Sequence, residues 1–158
     1  MREVVPVSPG ITYKFRILNA GSMYALRISF DGIKMTIVAA DSEQVEPVIA
    51  DEIIVHAAER FDVEVAIPED AEIGSTRWIR ADTLESRKQG YQNGIRAILH
   101  VADPNNSDKI DSTSVPDPET AIETTIDHSQ QLTYNCSAML KPRKKEEKEV
   151  ASQFLLCA

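Results

Sequence analysis

Histidine and cysteine are scarce in this sequence of 158 residues, which contains three histidines and two cysteines. They are His56, His100, His128, Cys136 and Cys157. No two histidines form a His-x-His pair, and neither cysteine has a histidine five residues further along. Protein copper sites bring thiolate and imidazole ligands together, and Met139 near Cys136 has no imidazole close to it in the sequence. The sequence therefore predicts that this chain holds no metal ion by itself.

Long apolar runs are also missing, since no stretch approaches the roughly 20 apolar residues of a membrane-spanning helix. Met1-Arg2-Glu3 leads directly into strand-like sequence, without the apolar segment of a secretory signal. The formal net charge is −8, and an acidic chain without a basic face binds phosphates poorly. We expect no membrane span and no nucleic-acid partner. The composition and motifs do not indicate the cellular compartment of the chain.

Residues 9–102 lack a sustained helical stripe of apolar residues, whereas alternation of apolar and polar residues recurs. Predicted strands are Thr12–Leu18, Tyr24–Phe30, Ile33–Ile37, Glu52–His56, Arg60–Ile67, Thr76–Ala81 and Ile95–Val101. Asp31-Gly32, between the second and third of these, predicts a tight hairpin. Seven or eight short strands at near-regular spacing predict an all-β fold, an antiparallel sandwich or barrel.

The composition changes after residue 102, where polar residues and proline replace most apolar residues. Too few apolar groups remain to offset the entropy of ordering. We therefore predict a β domain over 1–102 and an acidic linker over 103–140, with one candidate edge strand at Gln131–Leu140. Residues 141–158 are predicted to be a charged, disordered tail that ends in a short exposed apolar patch, Phe154–Leu156.

The C-terminal third leaves its covalent chemistry open. A bridge between Cys136 and Cys157 is one alternative and two free thiols are the other, because the intervening sequence does not specify a pairing. Asn105-Asn106-Ser107 and Asn135-Cys136-Ser137 fit the N-glycosylation sequon, which has meaning only in a secreted chain.

Four aromatic or imidazole side chains are candidates for a functional role. Trp78 lies mid-strand beside Ile79, which favours a core position between sheets over a substrate-stacking role. His56 at a strand end and His100 on the polar side of its strand are both predicted to be surface or rim histidines, and His128 is predicted to be solvated within the linker.

Charged residues of the β domain favour structural roles. Arg60 with Asp62, and Arg16 with Asp41 or Asp51, are predicted to form exposed ion pairs worth about 0–1 kcal/mol each.

Acidic residues Asp41, Glu43 and Glu46 lack the Asp-x-Asp-x-Asp-Gly spacing of a calcium loop, so a solvated loop is favoured. No Ser/His/Asp or Cys/His set points to nucleophilic catalysis, and we assign no catalytic, cofactor-binding or metal-binding residue.

Several separated motifs, in order, resemble the second cupredoxin (plastocyanin-like) domain of three-domain multicopper oxidases. They are Pro9-Gly10-x-x-Tyr13-Lys14-Phe15-Arg16, Thr36–Asp41, Glu46-Pro47, Asp51–Val55, Glu59–Asp62, Trp78–Ala81, Thr83–Glu85, Ala97–Val101 and Asn135-Cys136. The resemblance covers about 100 residues and is strongest to the laccase-like and ascorbate-oxidase-like members of animals. It implies a Greek-key β-sandwich.

This chain departs from the family pattern at four places. Glycine is common in the family where this chain has Ser42 and Ala58, an aromatic residue where it has Arg77, and proline where it has Ser137. The replacement of glycine at these two positions affects the expected geometry of the turns but not the expected fold. After Ser137 the resemblance ends.

The resemblance also implies a role. In the family, the first and third domains hold copper on His-x-His pairs and on a cysteine with two histidines, while the second domain spaces them and helps to wall the substrate pocket. The expected function is therefore that of a copper-free middle domain, inactive alone, in a secreted oxidase that oxidises phenols, related reductants or metal ions and reduces dioxygen to water. Its expected partners are the flanking cupredoxin domains.

A second hypothesis is a stand-alone β-sandwich interaction module without redox activity, motivated by Met1 at the start and by the unfamiliar sequence after Ser137. If the domain normally packs between two others, its exposed apolar faces predict weak self-association of the isolated chain.

Overall fold

The computed structural model describes residues 3–83, 95–105, 114–116 and 118, together with the backbone of 151–157. Its strands are β1 (Val4–Val7), β2 (Thr12–Asn19), β3 (Leu26–Phe30), β4 (Met35–Ala40), β5 (Glu43–Ala50), β6 (Glu52–Val55), β7 (Arg60–Ala66), β8 (Thr76–Thr83), β9 (Ile95–Val101) and β10 (Ala151–Cys157). Within these ranges no helix is long and apolar enough to cross a membrane.

The strands form two five-stranded sheets. The first sheet has the order β1-β9-β8-β3-β6, and the second has the order β10-β2-β7-β4-β5. Neighbours are antiparallel except for β1 with β9 and β10 with β2, which are parallel. Strands far apart in sequence, such as β3 and β6, are neighbours within a sheet. The prediction of an all-β sandwich is confirmed.

Alternate residues of the strands in both sheets point into one apolar core. Phe15 and Ile17 on β2 are 1% exposed, and Ile28 on β3 is fully buried. The rings of Phe15 and Phe30 meet edge to face, with centroids 4.9 Å apart, and so join the second sheet to the first. This shared core positions the outward-facing residues of each sheet.

Asp31-Gly32 does not close a hairpin between paired strands, so that prediction is wrong. β3 lies in the first sheet and β4 in the second, and a single bridge, Phe30 to Ile33, joins the two sides of the turn. Gly32 has the positive φ of +68° that such turns require. Asp31-Gly32 forms a turn, as predicted, but this turn connects strands of different sheets.

β5 was not predicted, because Glu46-Pro47 signals a connection and the acidic residues suggest a loop. The structure instead has a strand over Glu43–Ala50, at the edge of the second sheet. Proline is tolerated on an edge strand, where its missing N–H faces away from the ladder. Glu43 and Glu46 are exposed, so these acids are solvated even though they lie on a strand.

The C-terminal segment differs from the predicted disordered tail. Ala151–Cys157, which includes the predicted exposed patch Phe154–Leu156, forms β10 and pairs with β2. The physical reason is that β2 would otherwise leave its outer backbone groups without a neighbouring strand. Residues 141–150 and the predicted edge strand at Gln131–Leu140 lie outside the described residues.

Candidate functional site

The outer face of the first sheet is the most distinctive surface of the described chain. It consists of the side chains that alternate with the core residues of β1, β9, β8, β3 and β6. They are Val4, Pro6, Arg96, Ile98, His100, Thr76, Trp78, Arg80, Asp82, Arg27, Ser29, Glu52 and Ile54. One part of this face is charged and the other is apolar.

Asp31 and Arg80 form the best-aligned ion pair of this face. Arg80 donates from Nε to Oδ1 at 2.6 Å and from a terminal nitrogen to Oδ2 at 2.7 Å, so the pair is bidentate. Arg77 donates to the backbone carbonyl of Asp31 at 3.3 Å, and its guanidinium lies over Gly32, where a Cβ would meet it at 2.7 Å. The turn after β3 is thereby tied to β8.

Two further pairs cross between strands of the same face. Arg27 Nε lies 3.2 Å from Glu52 Oε1, joining β3 to β6, and a terminal nitrogen of Arg96 lies 2.7 Å from Asp82 Oδ1, joining β9 to β8. The Arg27 and Glu52 side chains are 18% and 8% exposed. Removing one partner of such a sheltered pair would leave a poorly hydrated charge without its counterion.

The corresponding face of the second sheet is more exposed. Its Arg16–Asp62 pair is longer, at 3.8 Å, and those side chains are 49% and 28% exposed. Lys14 and Glu64, register partners on the same face, are partly exposed. The two faces of the sandwich therefore differ: the ion pairs of the first sheet have separations of 2.6, 2.7 and 3.2 Å, whereas the Arg16–Asp62 pair of the second sheet is longer and its arginine is half-exposed.

The apolar part of the outer face centres on Trp78. Trp78 and Ile98 are register partners on β8 and β9, and Val4 on β1 is opposite Ile98. Because Ile79 is buried in the core, Trp78 must point away from it, so the predicted core position of Trp78 is wrong. Two adjacent apolar residues left the phase of this strand ambiguous in the sequence.

His100 lies on this face beside Pro6 on β1 and Thr76 on β8. Burial lowers the pKa of His100 below 6.5, because the charged imidazolium is poorly solvated there. Its Nδ1 is buried, and none of the residues described here hydrogen-bonds to it. His100 is thus more sheltered than a rim histidine.

The described histidines are too far apart to share a metal ion. His56 is exposed and follows Val55, which is opposite Leu26 and so at the Thr83 end of β8, whereas His100 is opposite Thr76 at the other end. β8 is eight residues long, or roughly 25 Å. No group of three or more histidine, cysteine or acidic side chains in the described ranges is placed to hold a metal ion. His128, Cys136 and Met139 lie outside those ranges.

Asn19 is a buried polar residue that no motif of the sequence marks. Its Nδ2 donates to the carbonyls of Tyr24 and Val55 at 2.8 and 2.9 Å, and its Oδ1 accepts from the Gly21 N–H at 3.0 Å. Its backbone carbonyl accepts from the Ala58 N–H at 2.9 Å. The Asn19 side chain thus joins the β2–β3 loop to the end of β6, and its backbone carbonyl holds the β6–β7 turn.

Arg60 organises the acidic turn after β4. Asp41 Oδ1 accepts from the Arg60 N–H at 3.0 Å and lies 3.6 Å from the Arg60 guanidinium. Arg60 therefore pairs with Asp41 and not with Asp62, which pairs instead with Arg16. The predicted partners were interchanged, because strand register brings β2 opposite β7. Ser42 and Ala58, where the family pattern has glycine, both have positive φ, +77° and +67°.

Asn105, the first residue of one sequon, is exposed, and its N–H donates to Asp103 Oδ1 at 2.8 Å. Asn135 of the other sequon lies outside the described residues.

Comparison with solved structures identifies the same fold in oxidases. A multicopper oxidase that functions in iron import, Fet3p, superposes with a TM-score of 0.58 at 21% identity, covering 72% of this chain and 22% of that one. The laccase of Botrytis aclada gives 0.55 at 20% identity, covering 76% and 23%.

Curated proteins of similar sequence are longer than this chain. L-ascorbate oxidase of Cucurbita pepo var. melopepo is 26% identical over 150 residues, 95% of this chain and 26% of its own length. Copper resistance protein A of Escherichia coli is 42% identical over 89 residues, 56% of this chain and 14% of its own. Laccase-1 of Trametes villosa is 30% identical over 97 residues, 61% and 18%. The chain thus spans about a quarter or less of each of these relatives.

A family model described as multicopper oxidase matches residues 1–103, which is more than half of the chain. The chain belongs to the multicopper oxidase family.

Proposed function

We propose that residues 1–102 are a copper-free middle domain of a secreted multicopper oxidase, with copper held by flanking cupredoxin domains. The intact enzyme would oxidise phenols, related reductants or metal ions and reduce dioxygen to water. The observation that carries the proposal is the outer face of the first sheet, whose charges are already paired within the domain and whose apolar part is centred on Trp78.

Paired charges lower the cost of covering this face. A guanidinium or carboxylate that loses water on docking is costly unless its partner is already in place. Arg80 and Asp31 meet through two short hydrogen bonds, so a neighbouring domain need supply no counterion for them. Tryptophan is enriched at the centres of protein interfaces, and Trp78 lies next to the apolar Ile98. The more exposed second sheet lacks this combination within its described part.

The donor set of the chain does not suit copper, which supports placing copper elsewhere. A blue-copper site needs two imidazoles and a thiolate around one ion. His56 and His100 lie at opposite ends of the first sheet, and no sequence position of the chain has a His-x-His pair. The domain's contribution would be to space its neighbours and to present loops to the substrate pocket.

Docking can be tested by placing a charge on each sheet in turn. In a protein that carries the flanking domains, Trp78→Glu should weaken domain packing and raise susceptibility to proteolysis between domains. The matched variant Ile49→Glu, on exposed β5 of the second sheet, should leave both unchanged. The free energy of unfolding of the isolated chain, measured for both variants, shows whether a change in domain packing comes from weaker docking or from a less stable fold. Equal effects of the two variants on domain packing would refute the choice of face.

Activity gives a second test. The isolated chain, supplied with copper(II), a phenolic dye and dioxygen, should oxidise no dye and consume no oxygen. Turnover that is lost on adding a chelator would overturn the assignment and favour a complete oxidase centre within the chain.

A further inference from the structure

Sheet edges carry unpaired backbone groups, and three of the edges in this sandwich are protected by their sequence. β1 and β6 have four residues each, and β1 includes Pro6. β5 is longer but includes Pro47, and its pairing with β4 is interrupted by a register shift between Ile37 and Ala39. Short strands, prolines and bulges are the features that prevent a sheet edge from pairing with another chain.

The second sheet ends in β10 at its other side, and without β10 its edge would be β2, which has none of these protections. Thr12–Asn19 is eight residues long and contains neither proline nor glycine. On one side it pairs with β7 through seven consecutive residues without a register shift. Its other side is thus a straight row of backbone donors and acceptors, the geometry that accepts an added strand.

The segment Ala151–Cys157 lies on that side of β2. It runs parallel to β2, with seven consecutive register partners from Ala151 opposite Tyr13 to Cys157 opposite Asn19. The edge that lacks built-in protection is therefore the one that a distant segment of the chain covers.

We propose that the outer edge of β2 is a strand-addition site for an extended segment in parallel orientation, and that it takes up Ala151–Cys157 from a second copy of this chain. Two copies that exchange β10 with one another form a closed dimer in which each edge is covered as in the single chain. The ligand class is an extended peptide recognised mainly through its backbone.

The length of the connection favours exchange. β10 is separated from β9 by residues 102–150, most of which are predicted to be linker. Closing a long loop carries an entropic cost, and a segment tethered in this way reaches its site at an effective concentration of about millimolar or less. A second copy at comparable concentration therefore competes with the tether, and the dimer accumulates as the protein is concentrated.

Disulfide trapping tests the exchange with full-length chains. Cys136 and Cys157 are first replaced by serine, and one chain then receives Arg16→Cys while the other receives Phe154→Cys. These two positions are register partners, so their Cα atoms lie about 4.8 Å apart when β10 adds to β2. The Arg16 side chain is 49% exposed and its pair with Asp62 is 3.8 Å long, so we expect the fold to tolerate its replacement.

The matched control mixes Arg16→Cys with Ser152→Cys, whose register partner is Lys14. A displacement of two residues puts the control pair about 8 Å apart, beyond the reach of a disulfide. On mild oxidation we expect a disulfide-linked heterodimer from the registered mixture, several times more abundant than from the control and increasing with protein concentration.

Three results would overturn the proposal. Equal heterodimer from both mixtures would mean that the thiols meet by random collision. No heterodimer from either mixture, while a single chain carrying both Arg16→Cys and Phe154→Cys closes its own disulfide, would mean that β10 never leaves its own β2. If that single chain fails to form its disulfide, β10 does not pair with β2 in this register, and the strand-addition site does not exist.

Discussion

Ser42 and Ala58 hold left-handed backbone conformations, which bring the Cβ of an L-residue close to the neighbouring carbonyl oxygen. We predict that Ser42→Gly and Ala58→Gly each raise the free energy of unfolding by about 0.5–1 kcal/mol, the relief of strain exceeding the entropy that glycine adds to the unfolded chain. Urea titration of each variant measures this. Ala57→Gly, next to Ala58 but without a positive φ, is the control and should destabilise; stabilisation by all three would contradict the strain argument.

Asn19 should be among the polar residues that matter most to stability. In Asn19→Ala the carbonyls of Tyr24 and Val55 lose their buried donor, at a cost of about 1–3 kcal/mol. Equilibrium unfolding by urea gives this difference, and amide exchange should show loosening confined first to the β2–β3 loop and the end of β6. A variant as stable as the parent chain would show that this hydrogen-bond network is dispensable.

His100 should make the fold sensitive to mild acid. Its pKa is lowered in the folded chain by burial, so the unfolded chain binds the proton more readily. The stabilisation that follows from keeping this imidazole neutral is complete above the unfolded pKa and is lost as pH falls below about 6.5. His100→Gln should therefore lose less stability than the parent chain between about pH 7.5 and pH 5. His56→Gln, at the exposed histidine, is the matched control; identical pH profiles for parent and His100→Gln would contradict the assignment.

At the scale of elements, successive side chains of β8 point alternately to the core and to the outer face. The fluorescence of Trp78, the only tryptophan of the chain, indicates which of the two faces it occupies. Because Trp78 lies on the outer face and is partly exposed, we predict that acrylamide quenches its fluorescence in the native chain. The unfolded chain sets the upper limit of quenching. Quenching close to zero in the native state would place Trp78 in the core instead.

The sequence predicted elements well where alternation is continuous. β2, β7 and β9 follow the predicted ranges closely. β2 and β7 alternate cleanly and bury one face, whereas β9 buries three successive apolar residues, Ala97–Leu99. The other features depend on contacts between strands that are distant in the sequence. The phase of β8 depends on what lies opposite Trp78, the Asp31-Gly32 turn passes between sheets, and β5 is extended because β4 offers it an edge.

Residues that work through distant partners were the hardest to predict. In the sequence nothing distinguishes Asn19 from other residues at strand ends, because the Val55 carbonyl that accepts its hydrogen bond is 36 positions away. Arg80 and Asp31, 49 positions apart, form a bidentate pair that no local pattern marks. The strained turns were visible only against the family pattern, which has glycine at both places.

At the scale of the whole molecule, the two faces of the sandwich have different characters. The first sheet has three short ion pairs, at 2.6, 2.7 and 3.2 Å, and an apolar part around Trp78, whereas the Arg16–Asp62 pair of the second sheet is 3.8 Å long and its arginine is half-exposed. Docking through the first sheet and strand addition at the β2 edge of the second would use separate surfaces. An oxidase domain could therefore pack against its neighbour and pair through β10 without either contact blocking the other.

Copper stoichiometry tests the central claim most directly. The purified chain is loaded with copper under reducing and then oxidising conditions, dialysed against a weak chelator, and analysed for metal and for the spectroscopic signals of cupric ion. A copper-free domain retains no stoichiometric copper and shows no blue thiolate band. One tightly held copper per chain, with the spectrum of a cysteine-ligated cupric site, would contradict the account.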